Sequence, residues 1–190
     1  MNARYKLFVA AALGLAMTGT VLAEPTAFDL AKNGDAYVGV QSKDKVLQIR
    51  SDKSIASLTP DIWYVDYYDP DSPLKLVEVK FGGGQEMNTT HPMRPFQMPA
   101  SEHDILDWSK VKVDSDEALK DAAAQPLLKN LTLKASKMTL DHSDTGPVWK
   151  VQLWAAKLKN PNDIADIGTV TLSATDGSVV KSDLRPDRVD

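Results

Sequence analysis

The chain has 190 residues, no cysteine and a formal net charge of −4. Without cysteine there is no disulfide framework, no thiol catalysis and no zinc-thiolate site. The acidic balance argues against nucleic acid or anionic lipid as a main partner, because both are held by clustered Lys and Arg.

Arg4 and Lys6 precede a run from Leu7 to Leu22 that is almost wholly apolar or small, and Val21-Leu22-Ala23 ends it before Glu24-Pro25. A charged start, an apolar middle and a small-residue exit are the three parts of a secretory signal. Cleavage is expected between Ala23 and Glu24, since a run of about 16 residues falls short of the roughly 20 that span a bilayer. Removing Arg4 and Lys6 takes the net charge from −4 to −6. The expected product is periplasmic or secreted in a bacterial envelope, with no stable membrane insertion after cleavage.

Beyond the signal the chain repeats itself at an offset of 86. Trp63 in Ile-Trp-Tyr-Val-Asp-Tyr-Tyr matches Trp149 in Val-Trp-Lys-Val-Gln-Leu-Trp, and the same offset carries Val46–Ile49 onto Thr132–Ala135. Self-similarity at a fixed period signals a duplicated unit. In the first copy Gly34 and Gly39 interrupt a weak helical pattern from Thr26 to Val40, which predicts a short or broken helix. Alternation then places Leu47 and Ile49, next Trp63, Val65 and Tyr67, next Val77, Val79 and Phe81 on one buried face. Gly82-Gly83-Gly84 closes the copy as a flexible hairpin turn.

Asn88 to Val113, with Pro92, Pro95 and Pro99, reads as an extended linker. Phe96, Met98, Ile105, Leu106 and Trp108 are apolar enough for part of it to pack. In the second copy Asp114 to Glu117 open a helix from about residue 115 to 129, which Pro126 bends or ends early. Its buried strand residues are expected to be Leu131, Leu133 and Ala135, then Trp149, Val151 and Leu153, then Val170, Leu172 and Ala174. Asp176-Gly177 before Val179-Val180 predicts a hairpin into a last strand. The organisation is a signal over 1–23, a first repeat over 24–87, a linker over 88–113, a second repeat over 114–184 and a frayed polar tail over 185–190. The fold class is α+β: two tandem repeats, each a helix packed on a three- to four-stranded antiparallel sheet.

The second copy, through Val148-Trp149-Lys150-Val151-Gln152-Leu153 and the strand, Asp176-Gly177 turn and strand from Val170 to Val180, resembles the PepSY domain. The first copy matches through its relation to the second. The resemblance implies an extracytoplasmic binding or peptidase-regulating module and supplies no catalytic residue. Cystatin-like folds share the element order.

The polar clusters have ordinary readings. His91, His103 and His142 lack metal-site spacing, and Glu102-His103-Asp104 with Asp107 reads as solvated linker. Asp141-His142-Ser143-Asp144 reads as a hairpin loop, with no Gly-x-Ser-x-Gly to hold a nucleophile. Tyr68 to Pro73 and Asn160 to Asp163 cluster oxygen atoms as a calcium loop would, yet lack its Gly and terminal Glu. Gly82 to Gly84 precede no helix N-terminus that could cradle a phosphate. Asn88-Thr89-Thr90 and Asn130-Leu131-Thr132 read as accidental sequons.

Alternation also sends Ile62, Tyr64, Tyr68, Val148 and Trp154 away from the core. Aromatics there either pack one repeat on the other or form a partner surface, with Tyr64, Tyr68 and Trp154 as its residues. The expected function is a non-enzymatic module that binds another envelope protein, without cofactor, catalytic residue or metal. The alternative is an envelope protein binding a small ligand or metal between the repeats.

Overall fold

The computed structural model describes residues 24–93 and 98–190. The signal segment through Ala23, and Pro95 and Phe96 in the linker, lie outside the described residues. Helix α1 spans Ala27–Gly34, with Thr26 and Asp29 capping each other's backbone, as a reciprocal capping box does. Helix α2 spans Ser115–Ala123 behind the N-cap Asp114, and a single 3-10 turn follows at Pro126–Leu128. Pro126 has no N–H to extend the ladder, so α2 ends early.

The strands are β1 (Val46–Ser51), β2 (Ile62–Tyr68), β3 (Leu76–Gly82), β4 (Gln85–Thr90), β5 (Leu133–Ser143), β6 (Gly146–Ala156), β7 (Ile164–Ser173) and β8 (Val179–Leu184). They form one sheet in the order β4-β3-β2-β1-β5-β6-β7-β8, and every pairing is antiparallel. This overturns the expectation of two helix-plus-sheet repeats. Eight strands share a single sheet, and the only helices of eight residues or more among the described residues are two short ones. The physical reason is edge closure: β1 and β5 would each be an exposed edge if the halves stood alone, and pairing them satisfies both.

The β1–β5 seam is short. Ile49 faces Leu140 and Arg50 faces Thr139, and beyond them serine hydroxyls replace backbone carbonyls. Ser51 Oγ accepts from the Met138 N–H at 2.9 Å, Ser54 Oγ accepts from the Ser136 N–H at 2.9 Å, and the Ser54 N–H donates to the Ser136 carbonyl at 2.8 Å. The helices meet N-terminus to N-terminus on the inner face, where the Ala27 N–H donates to Ser115 Oγ and the Phe28 N–H to Asp114 Oδ1.

One core runs beneath both halves. Ile49, Trp63, Val65, Tyr67, Val77, Val79 and Phe81 join Trp149, Val151, Leu153, Val170, Leu172 and Ala174 in a single buried cluster. Four expected core residues differ. A bulge between Val46 and Gln48 puts Val46 in that cluster, while Leu47 joins Tyr68 and Leu76 in a separate one. From β5 Met138 and Leu140 join that cluster, whereas Leu131 and Leu133 are only partly buried against it and Ala135, though buried, lies outside it, opposite Trp154. Register explains the slip: Val65 faces Ile49 and Val151 faces Met138, so this strand repeats at an offset of 89 rather than 86.

The linker packs in part against the sheet. The Leu106 N–H donates to the Val46 carbonyl and the Ala100 N–H to the Leu74 carbonyl, while Leu106 is buried and Met98 exposed. The tail is not frayed, for Pro186–Val189 forms a 3-10 turn with Val189 2% exposed, and the Leu158 N–H donates to its carbonyl.

Candidate functional site

The outer face of the sheet carries all three aromatics expected at a partner surface, Tyr64, Tyr68 and Trp154. Register aligns Lys80, Tyr64, Arg50, Thr139, Lys150, Thr171 and Lys181 in one row across seven strands. The Arg50 guanidinium lies 4.1 Å from the Tyr64 ring centre and Lys80 Nζ 5.3 Å from it. The Tyr64 hydroxyl donates to Asp52 at 3.1 Å, and Arg50 also pairs with Glu78 and Asp66. Tyr64 is thus engaged by its own neighbours. Tyr68 is 4% exposed, packed among Leu47, Leu76, Leu74, Ala100 and Ile105, so it offers no surface.

Trp154 is different. It is half-buried, and Lys53 Nζ sits 4.5 Å from its ring centre. Ala135 faces Trp154 across β5–β6, and Asp166 faces it across β6–β7. Beside this pair lies an open basin of 680 Å³, lined by Lys53, Ser54, Ile55, Ala56, Lys134, Ala135, Pro161, Asn162 and Ile164. Ile55 is 96% exposed and Ile164 38%. The lining carries two lysines and no carboxylate, against the acidic sign of the whole chain. The basin joins the β1–β2 connection to the β6–β7 turn, segments distant in sequence, so only Trp154 was legible beforehand. An isoleucine in a polar connection, at Ile55, was the one further signal available.

Smaller hollows flank the sheet. A 220 Å³ slot beside α1 is lined by Phe28, Ala31, Lys32, Asp35, Asp44, Val46 and Trp108. Phe28 and Trp108 meet edge to face at 5.3 Å, and burial raises the Asp35 carboxyl above the usual range, with the Asp44 charge adding to it. On the outer face a 360 Å³ groove runs past Gln48, Asp66, Asp141, His142, Met98 and Asp104. A 470 Å³ groove holds Glu24 and Pro25 against Asp61 and the Gly83-Gly84 turn, which places the residue expected to follow the cleavage point on the protein surface.

The remaining clusters are occupied by local bonding. His91 Nε2 lies 2.8 Å from Asp69 Oδ2, and Asp69 Oδ1 accepts from the Asp71 N–H. Asn160 accepts the Asp163 N–H through its carbonyl. Asp104 caps Ser101, and Asp107 accepts from Ser109 and pairs with Lys110. The Ser109 hydroxyl, followed by Lys110, holds the Asp107 carboxyl below its ordinary range. Ser143 Oγ donates to the Gly146 carbonyl within its own turn, and Lys150 binds Asp141 at 3.0 Å. Among the described residues no three His, Asp or Glu side chains converge as metal ligands, and no helix is long and apolar enough to cross a membrane.

No family model, curated protein or solved structure matches this chain, so the residues themselves carry the functional reading.

Proposed function

We propose that the chain is an exported, non-catalytic binding module whose basin beside Trp154 receives an extended segment of another protein carrying both acidic and apolar side chains. The observation that carries this is the coincidence, around one basin, of a half-open Trp154, the exposed Ile55 and Ile164, and Lys53 and Lys134 with no acid in the lining. Apolar area at the floor supplies affinity, and the two cations select the sign of the partner and raise its encounter rate. The N-terminal charged, apolar and small-residue run supports an envelope setting, where the partner would reside.

Selection of displayed random peptides on the chain from Glu24 tests the proposal. Enrichment of sequences combining Asp or Glu with bulky apolar residues is expected. Binding of a selected peptide weakens at least tenfold in Trp154→Ser and in the Lys53→Glu/Lys134→Glu pair, and weakens with added salt. Enrichment without acidic bias, or affinity unchanged in both variants, refutes it.

A second reading, a small-ligand protein, has the slot beside α1 in its favour. Phe28 and Trp108 offer aromatic edges and faces, and Asp35 and Asp44 offer negative charge, which together suit a small organic cation. A thermal shift with simple alkylammonium ions that is lost in Asp35→Asn would support it; no shift would exclude it.

A further inference from the structure

Among the described residues the sheet is open at both ends, and β8 is the more self-complementary of its two edges. Its substantial contacts are with β7 alone, and Val179 to Asp183 are all exposed. In an antiparallel ladder, residues that exchange backbone bonds with the neighbour alternate with residues whose N–H and C=O point away. The Arg185 N–H donates to the Ile167 carbonyl at 2.8 Å. Counting back by two, Asp183 and Lys181 bond toward β7, opposite Thr169 and Thr171. Ser182 and Leu184 therefore direct their backbone groups to the open side. Lys181 and Asp183 lie on the outer face and form an ion pair with each other.

We infer that β8 pairs antiparallel with β8 of a second copy about a two-fold axis at Ser182, so that two eight-stranded sheets become one of sixteen strands. A two-fold axis normal to the sheet keeps outer residues opposite outer residues, so the axis must pass through a residue rather than between two. An axis at Lys181 sets lysine against lysine, and one at Asp183 sets aspartate against aspartate; like charges directly opposite are unfavourable. At Ser182 the open N–H and C=O of each copy meet, and Lys181 stands opposite the partner's Asp183 on both sides. Val180, 53% exposed in the single chain, comes opposite the partner's Leu184. The other edge, β4, carries Glu86 as its sole charge and offers no such complement.

A single strand edge buries less than the roughly 1,600 Å² of a standard interface, so the dimer is weak and concentration-dependent. Sedimentation equilibrium of the chain from Glu24 reads it. The weight-average mass is expected to climb from monomer toward dimer with concentration. Lys181→Asp and Asp183→Lys each place four like charges across the seam and weaken self-association at least tenfold, while the double swap restores it. Ser182→Pro deletes an N–H that faces away from β7, so it leaves the chain monomeric with an unchanged far-ultraviolet spectrum. A chain monomeric throughout, or a dimer indifferent to the single swaps, or a double swap that fails to restore it, overturns the inference. Trp154→Ser leaves self-association intact, so failure here and failure of the peptide-binding proposal are separately visible.

Discussion

Tyr67 shows how one buried hydroxyl ties the helix layer to the sheet. It donates to the Ala31 carbonyl in the last turn of α1, and the approach needs Gly34, where an added Cβ would overlap the phenol. The glycine that weakens the helical pattern is thus the one the packing requires. Burial pushes the Tyr67 phenol well above its ordinary value, with Asp35 and Asp44 adding to the effect. The unfolded chain ionises this group near pH 10 while the folded chain keeps its proton, so its contribution to stability is complete below about pH 10 and is lost as pH rises beyond it. Tyr67→Phe is expected to lose about 1–2 kcal/mol at pH 8, because the Ala31 carbonyl loses its donor. Above pH 10 the gap to the parent narrows by up to about 1.4 kcal/mol per pH unit. Urea unfolding of both proteins from pH 8 to 11 checks this; a constant gap would be wrong for it. Gly34→Ala is expected to cost at least as much, about 1–3 kcal/mol from overpacking, in the same urea titration.

Between elements, the seam is the weak point. β1 and β5 share two facing residue pairs, and Ser51 and Ser54 hold the next two N–H groups of β5 through their side chains. Ser51→Ala or Ser54→Ala leaves the buried Met138 or Ser136 N–H without an acceptor, costing about 1–3 kcal/mol each. The double variant should depart from the sum, since both act on one seam; denaturant titration of the two singles and the double decides. By contrast the β3–β4 turn is locally encoded. Gly83 and Gly84 have φ of +56° and +76°, the pair of positive values a two-residue type I′ hairpin demands. That turn was legible as a hairpin, yet β4 itself was not, because Gln-Glu-Met-Asn-Thr-Thr has no buried face and so no alternation.

At the scale of the molecule, one sheet and one core predict one unfolding transition. Trp63 and Trp149 belong to different halves but to the same buried cluster, so tryptophan fluorescence and far-ultraviolet circular dichroism should change together with denaturant. Two separated transitions would show that the halves unfold independently. The functional surface also belongs to this scale. Trp154 was singled out by strand alternation, but Lys53, Ile55, Lys134 and Ile164 reach it from three separate stretches of chain, and Tyr68 left the set when the linker covered it.

What the sequence by itself determined is local: the short α1, the early end of α2 at Pro126, the Trp-bearing strands β2 and β6, the glycine hairpins and most of the buried face. These follow from backbone freedom and from period-two burial, which neighbouring residues alone specify. Only the tertiary structure decided that the halves share one sheet, that β5 repeats at an offset of 89, that Leu47 turns outward and that Val189 is buried. Each depends on which edge meets which and where a bulge resets the register. An edge presents the same backbone N–H and C=O groups whatever its sequence, so edge pairing is chosen by long-range packing.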